Sequence, residues 1–232
     1  MPARRSTPKR RTRRRRRKRT RKMRIPRPPS NGFPARQLCV HRFSDIATIT
    51  AGSAGEIGSK LYMVSSAHSP VVGASVLFQP RGYDELSLIY SRYCVVGVKM
   101  KVRPVSPQRA TGTASNVGLE YGIAMLRTPV FIYSNYKDMV ERYGYRQRAT
   151  IPIDIGEAKT LTRGYSLKKW FSHKNPLTDD VVTSATGSSP SKNAFMGVWV
   201  TSPSGEAFPE VKLHVELDYS IVWYERHGMD AS

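Results

Sequence analysis

The stretch that decides the fold is "EVKLHVELDYSIVWYER", residues 210–226, near the end of the chain. Apolar or aromatic side chains occupy every second position from Leu213 to Trp223, and polar side chains alternate with them from Lys212 to Ser220. Successive side chains of a strand point to opposite faces, so this pattern predicts a strand with one buried and one wet face. Such a sheet needs a second apolar surface to cover it, which favours two packed antiparallel sheets.

The rest of the chain after residue 35 is also rich in strand-like segments. They contain many Val, Ile, Thr and aromatic residues and are separated by Gly, Pro, Ser and Asn. Besides 210–226, the predicted strands are 36–50, 71–80, 93–105, 118–127, 147–154, 159–171 and 194–201. In the third strand, Cys94, Val96, Val98, Met100 and Val102 alternate with Gly97, Lys99, Lys101 and Arg103. The sequence therefore predicts an all-β, eight-stranded antiparallel sandwich over residues 36–232.

Two segments have the periodicity of short helices. In "YDELSLIYSRY" (83–93), Asp84 is the expected N-cap and an apolar stripe runs from Leu86 to Tyr93. In "SNYKDMVERYG" (134–144), Ser134 is the expected cap, Gly144 the stop, and the stripe includes Met139. Both helices are expected in loops, docked on the sandwich.

Charge divides the chain into two parts. The formal net charge is +21, and residues 1–30 contain 16 Lys or Arg and no acidic residue, which leaves a net charge of only +5 on the remainder. Like charges at this density repel and bury nothing apolar, so residues 1–35 are expected to form a disordered arm. Its last part, "RIPRPPSNGFP" (24–34), favours extended backbone and is expected to act as a spacer.

The expected partner of the arm is nucleic acid, because phosphates neutralise dense positive charge without reading sequence. Short Lys/Arg clusters of this kind also match nuclear localisation signals, whereas the hydrophobic or lipidation signal of a membrane anchor is missing. The predicted nucleic-acid-binding residues of the arm are Arg4, Arg5, Lys9, Arg10, Arg11, Arg13, Arg14, Arg15, Arg16, Arg17, Lys18, Arg19, Arg21, Lys22, Arg24 and Arg27.

Three residues of the predicted third strand extend this set into the folded domain. Lys99, Lys101 and Arg103 lie on one strand face and would form a basic wall against nucleic acid. Alternatively, Glu216 and Asp218 of the last strand pair with them across the sheet. The sequence leaves both interpretations open. Trp170 and Tyr224 are candidates for stacking on unpaired bases, with a subunit interface as the other interpretation.

Motifs for catalysis, metals and cofactors are weak or missing. Asp179 and Asp180 are adjacent but have no His motif beside them, and no nucleophile-elbow or zinc-protease pattern occurs, so we expect a protein that is not an enzyme.

Cys39 and Cys94 are expected in the core, and a metal at Cys39-x-His41 is disfavoured. "GSAGEIGSK" (52–60) lacks the ending of a phosphate loop and is expected to be a flexible turn. No cofactor is expected, and no apolar run reaches the about 18–20 residues that span a bilayer, so no membrane insertion is expected.

Two segments carry a family resemblance. "LSLIYSRYCVVGVKMKVRPVSP" (86–107) resembles the region of circovirus capsid proteins in which paired tyrosines lead into a long basic strand. "GYSLKKWFSHKNPLTDD" (164–180) is similar to an aromatic and Lys-Pro stretch of that family, although Asn175 here separates Lys174 from Pro176. The chain thereby resembles the capsid proteins of circular, Rep-encoding single-stranded DNA viruses.

The resemblance implies a jelly roll with short helices between the second and third and the fourth and fifth strands. It also implies a homo-oligomeric shell of sixty copies (icosahedral, T=1), an arm that faces a single-stranded DNA genome, nuclear import factors as host partners, an unidentified host receptor, and location in the virion and the host nucleus. Sixty arms of 16 charges would neutralise on the order of a thousand phosphates. Two alternatives remain: the coat protein of a small RNA or satellite virus, and a cellular basic nucleic-acid-binding protein.

Overall fold

The computed structural model describes residues 33–50, 55–74, 78–107, 118–131, 135–143, 148–151, 159–172, 175–208 and 210–227. Contacts along the chain separate two units, Met1–Pro34 and Ala35–Ser232. With the exception of residues 33 and 34, the described residues belong to the second unit.

Strands dominate this second unit. The long strands are β1 (Arg36–Ile49), β2 (Gly58–Met63), β3 (Tyr90–Pro107), β4 (Leu119–Leu126), β5 (Arg148–Ile151), β6 (Leu161–Ser166), β8 (Phe195–Thr201) and β9 (Val211–Arg226), and β7 (Ser184–Ala185) is a two-residue strand. The helices are α1 (Tyr83–Ser87), α2 (Tyr136–Tyr143), α3 (Leu167–Phe171) and a 3₁₀ turn at Pro176–Thr178. The predicted all-β fold is confirmed.

The strands form two antiparallel sheets. One has the order β1-β9-β3-β6, with β7 attached to β3, and the other has the order β2-β8-β4-β5. Successive long strands alternate between the sheets except for β4 and β5, which are neighbours in the second sheet. This wrapping is the jelly roll, and it confirms the predicted sandwich.

The deciding stretch behaves as its alternation predicts. In β9, Leu213, Val215, Leu217, Tyr219, Ile221 and Trp223 are all fully buried, and the residues between them are partly exposed up to Val222. Because β9 pairs with both β1 and β3, its buried face lies in the centre of its sheet. The core of the sandwich is therefore built around this strand.

Strand β8 is buried along its whole length instead of alternating. One face contributes Met196, Val198 and Val200 to the main core. The other contributes Phe195 and Trp199 to a second cluster that contains Met139 of α2. Coverage on both sides explains why "FMGVWVT" is continuously uncharged, and it places α2 on the outer face of the second sheet, as expected for a docked helix.

Aromatic residues fill one end of the main core. Tyr83 of α1 lies 5.1 Å from Trp223 and 5.5 Å from Tyr93 between ring centroids. The hydroxyls of Tyr83 and Tyr93 donate hydrogen bonds to the backbone oxygens of Thr186 and Ser188, at 2.6 and 2.9 Å. Because each buried hydroxyl has a partner, the rings are buried without an unsatisfied polar group. The short helix α1 is thus anchored through Tyr83.

The predicted second strand at 71–80 is wrong for 71–74 and 78–80, and residues 75–77 lie outside the described part of the chain. The strand that pairs with β8 is β2, at residues 58–63, and Val71 forms only an isolated bridge with Tyr62. The chain at 70–72 lies along β2, where the Met63 amide donates to the Pro70 oxygen and the Val72 amide to the Leu61 oxygen. The glycine-rich segment expected to be a turn therefore ends inside a strand, while residues 51–54 lie outside the described part.

Several predicted boundaries also need correction. Residues 167–171 form α3 and do not continue the strand that contains 161–166. The helix predicted over 83–93 ends at Ser87, Tyr90 and Tyr93 belong to β3, and the residue that precedes its first turn is Gly82 and not Asp84. In β3 the predicted alternation fails at Val96, where the register with β9 shifts and Val95 is buried instead. Of the strand predicted at 147–154, β5 covers 148–151, and 147 and 152–154 lie outside the described residues.

Candidate nucleic-acid interface

The predicted nucleic-acid-binding residues fall into two groups. The sixteen arm residues, from Arg4 to Arg27, lie outside the described residues. Lys99, Lys101 and Arg103 lie on β3, on the face of the first sheet that points away from the core, because Val98, Met100 and Val102 between them are buried. The sheet register sets their neighbours: Lys99 is opposite Asp218, Lys101 opposite Glu216 and Arg103 opposite His214.

Lys101 is ion-paired within the sheet. Its Nζ lies 3.4 Å from Glu216 Oε2 and 3.7 Å from Asp218 Oδ2. Asp218 also accepts a 2.7 Å hydrogen bond from Nε of Arg42 on β1, and this bond raises the pKa of Arg42. The two carboxylates of β9 are thus flanked by basic residues of β1 and β3. Such cross-strand pairs stabilise the sheet, and they also reduce the positive potential of this face.

Arg103 and Lys99 differ from Lys101. Arg103 Nε donates a 3.2 Å hydrogen bond to Nδ1 of His214, whose Nε2 is 2.9 Å from Ser44 Oγ. Lys99 is exposed, and among the described residues no ion pair involves it. The face therefore combines a compensated centre with two basic side chains, Lys99 and Arg103, that lack a carboxylate partner in the described part of the chain.

The two stacking candidates occupy different environments. Tyr224 is 6% exposed, and the guanidinium of Arg92 is 5.8 Å from its ring centroid, so its ring is packed and not open for stacking. Trp170 of α3 is half-buried, with the guanidinium of Arg127 5.7 Å from its ring centroid. Nearby, Nζ of Lys192 is 5.0 Å from the ring centroid of Phe171. Sequence reasoning missed Arg127, Phe171 and Lys192. A signal existed for Phe171, because 159–178 holds five basic residues and no acidic one, whereas Arg127 and Lys192 are distant from it in sequence.

The weaker motifs have structural roles. Both ring nitrogens of buried His41 have partners: Nδ1 is 3.0 Å from the Arg81 oxygen, and Nε2 accepts a 3.1 Å hydrogen bond from Trp223. His41 therefore has no nitrogen left for a metal, and the described residues contain no cluster of three potential ligands. The two adjacent aspartates also have partners: Asp180 Oδ1 lies 2.5 Å from Nη2 of Arg92, and Asp179 Oδ1 accepts a 3.0 Å hydrogen bond from the Val181 amide.

The two cysteines are free thiols in a half-buried and a buried position, Cys39 and Cys94 respectively. No helix in the described part of the chain is sufficiently long and apolar to cross a bilayer.

Together these features define a jelly-roll protein with a mixed-charge outer sheet face, preceded in sequence by a highly basic segment. No protein-family model matches the sequence. No curated protein is significantly similar to it. Solved structures of viral particles and of a capsid protein do align with it.

One is a semi-empty virus-like particle of the giant freshwater prawn Macrobrachium rosenbergii nodavirus, with a TM-score of 0.47, 13% identity, and coverage of 83% of this chain and 95% of that chain. Another is the decameric BFDV capsid protein, with a TM-score of 0.45, 10% identity, and coverage of 82% and 99%. The third is Desmodium yellow mottle tymovirus, with a TM-score of 0.41, 12% identity, and coverage of 88% and 96%.

Proposed function

We propose that this chain is a viral coat protein that assembles into a small closed shell and packages single-stranded DNA through its basic N-terminal arm. The observation that carries the proposal is the separation of charge: 16 basic and no acidic residues in 1–30, followed by a jelly roll with a net charge of only +5 in the remaining sequence. The basic N-terminal arm would bind the genome, and the sandwich would form the wall of the shell. The protein acts by assembly and binding, not as an enzyme.

The surface of the sandwich supports self-association. Leu38 and Val40 are 51% and 67% exposed on the same outward face of β1, and Leu38 is opposite Val222 of β9. β1 lies at the end of its sheet, where an edge strand can meet another chain. Val105 and Val130 are also more than half exposed. Neighbouring exposed apolar groups on an edge strand, as at Leu38 and Val40, favour contacts between copies of the chain.

Single-stranded DNA as the cargo rests on the resemblance of 86–107 and 164–180 to circovirus capsid proteins. The same resemblance leads to the proposals of a sixty-copy T=1 shell, nuclear import through the arm, assembly in the host nucleus and a host receptor. A ribosomal or histone-like protein would distribute its basic residues more widely over the folded part, and here that part has 22 basic and 17 acidic residues.

Electron microscopy of the purified full-length protein tests the coat function. We expect uniform small shells, and a stable monomer at high protein concentration would contradict the proposal. The cargo is tested separately on particles from infected tissue. We expect nucleic acid that resists nuclease inside the particle and that, after extraction, is degraded by DNase and not by RNase; the reverse result would assign an RNA genome.

A further inference from the structure

We infer that the folded domain carries a second nucleic-acid site, a pocket between α3 and two loops that binds one nucleotide by base stacking and phosphate pairing. The pocket has a volume of about 350 Å³, within the range of small-ligand sites. Its lining residues are Arg127, Trp170, Phe171, Ser172, Lys192 and Asn193. The inference rests on the proposed packaging function for its biological ligand, since the packaged genome would supply the nucleotide.

The sequence of α3 brings the aromatic groups together. In "LKKWF", Leu167, Trp170 and Phe171 are spaced at i, i+3 and i+4, so they share one side of the helix. Leu167 is fully buried and anchors that side, whereas Trp170 and Phe171 are only partly buried at its edge. Two large rings are thereby fixed at the surface by a buried neighbour, and little conformational entropy remains to be lost when a base stacks on them.

The charge of the pocket is positive. Arg127 follows the end of β4, Lys192 precedes β8, and each places its cation against one of the two rings, at 5.7 and 5.0 Å from the ring centroids. No acidic residue is among the described residues that line the pocket. The outer face of the first sheet is different, because there Lys101 is ion-paired with Glu216 and Asp218. The pocket therefore has cations available to an external anion.

The combination of groups selects the class of ligand. Aromatic rings and guanidinium planes stack on nucleobases, and Lys and Arg bind phosphates. Inorganic phosphate or a sulfated sugar would use the cations but has no planar group that could stack on an aromatic ring. A single-stranded nucleotide uses both, with a strength that we expect to be sequence-tolerant because every base has a stacking face.

Tryptophan fluorescence of the full-length protein provides a local measurement. Trp199 and Trp223 are 5% and 0% exposed, so Trp170 is the indole that a ligand in the pocket would reach. A deoxyribonucleoside 5′-monophosphate, with excitation at the red edge of the indole band, should quench emission saturably. The parent nucleoside and inorganic phosphate should quench much less. Trp170→Phe should abolish the saturable signal.

Arg127→Ala and Lys192→Ala should each weaken mononucleotide binding about tenfold, as expected when one charge-assisted hydrogen bond is removed. Lys212→Ala is the matched control, because Lys212 lies on β9, is paired with Glu210 at 3.3 Å and is not part of the pocket, and it should leave binding unchanged. Unchanged thermal unfolding of each variant verifies that it is folded.

Three outcomes would overturn the inference. The first is quenching that does not saturate, and the second is that Lys212→Ala weakens mononucleotide binding as much as the pocket variants do. The third is displacement of the nucleotide by a heparin oligosaccharide at equal charge concentration, which would identify a general polyanion site. Failure here is distinguishable from failure of the coat function. Filled shells without mononucleotide quenching would refute only the pocket, whereas quenching by a protein that never assembles would refute only the coat function.

Discussion

Asp45 links the two sheets at the residue scale. It lies on β1, and its Oδ2 accepts a 2.7 Å hydrogen bond from the Tyr62 hydroxyl of β2 and lies 2.8 Å from Nζ of Lys60 on the same strand. Burial alone would raise the pKa of Asp45, but the hydrogen bonds from Lys60 and Tyr62, together with the charge of Lys60, hold it below its usual range. The carboxylate form is therefore bound more tightly by the folded state than the neutral acid is.

Asp45→Asn should lower the free energy of unfolding at neutral pH by about 1–2 kcal/mol, because Lys60 then loses its partner. A lowered pKa in the folded state means that the stabilisation is present above the unfolded pKa and is lost as the pH falls through the folded pKa. The difference between the two proteins should thus shrink below about pH 4. Urea unfolding across this range measures it. Glu206→Gln, at an exposed position, is the control, and an equal destabilisation there would contradict the assignment.

His41 shows what residue-scale reasoning from sequence can and cannot reach. Alternation correctly predicts that Cys39 and His41 share one strand face. The partners of His41 could not be predicted, because Trp223 is 182 positions away and the Arg81 oxygen comes from a loop. Local periodicity indicates which way a side chain points, whereas its hydrogen-bond partners depend on how distant segments meet.

At the scale of elements, Gly58 shows why β2 begins where it does. A Cβ at this position would lie 2.5 Å from Ile49 Cγ2 and 2.6 Å from the Thr50 oxygen, so β1 passes too close for any side chain. Gly58→Ala should destabilise the fold by about 1–3 kcal/mol through overpacking. Gly187→Ala, where no atom lies within 4 Å of the added Cβ, should be neutral in the same denaturation experiment. Equal effects of the two changes would refute the close approach.

Strand β3 supplies a second test, through thiol chemistry. Burial, with a smaller contribution from the charge of Asp179, raises the pKa of Cys94 to about 12. Cys94 is 0% exposed, whereas Cys39 is only half-buried. An alkylating reagent should therefore modify Cys39 slowly in the native protein and Cys94 only upon global unfolding, because the reactive thiolate needs deprotonation and access. Peptide mass spectrometry locates the label, and rapid native labelling of Cys39→Ser would contradict a closed β3–β9 core.

The two faces of β9 and of most of β3 were predictable from alternation, but the position of β2 in the sequence was not. Residues 71–80 are more apolar than 58–63, and strand propensity alone favours them. Residues 58–63 and not 71–80 form the strand because they pair with β8, and Leu61 and Met63 then pack against the cluster that contains Phe195 and Trp199. Val72 packs against the same cluster. The helix α3 was also missed. The apolar residues of "LKKWF" have a helical spacing, but the aromatic content of the segment favoured a strand over 159–171.

At the scale of the whole molecule, charge and fold are partitioned along the chain. The two-sheet sandwich could be predicted because its evidence is distributed over many strands, so one misplaced strand did not change the fold class. The basic set on β3 could not be assessed from sequence, because cross-strand register determines whether a lysine faces a carboxylate. For Lys101 the register supplies Glu216, whereas Lys99 and Arg103 have no carboxylate contact among the described residues.

This partition predicts which charges control binding of single-stranded DNA. The slope of log K against log salt concentration changes by about 0.7 for each phosphate that the protein no longer neutralises. Replacing Arg13, Arg14, Arg15, Arg16 and Arg17 by Gln should therefore make the slope shallower by about 3.5. Lys101→Gln is the control for the sheet face: because Lys101 is already paired with Glu216 and Asp218, the slope should change by well under the about 0.7 expected for one lost phosphate contact. An unchanged slope in the arm variant would show that these five arginines do not neutralise phosphates. A slope shallower by about 0.7 in Lys101→Gln would show that Lys101 contacts a phosphate in spite of its carboxylate partners, since the slope counts the phosphates that each group of residues neutralises.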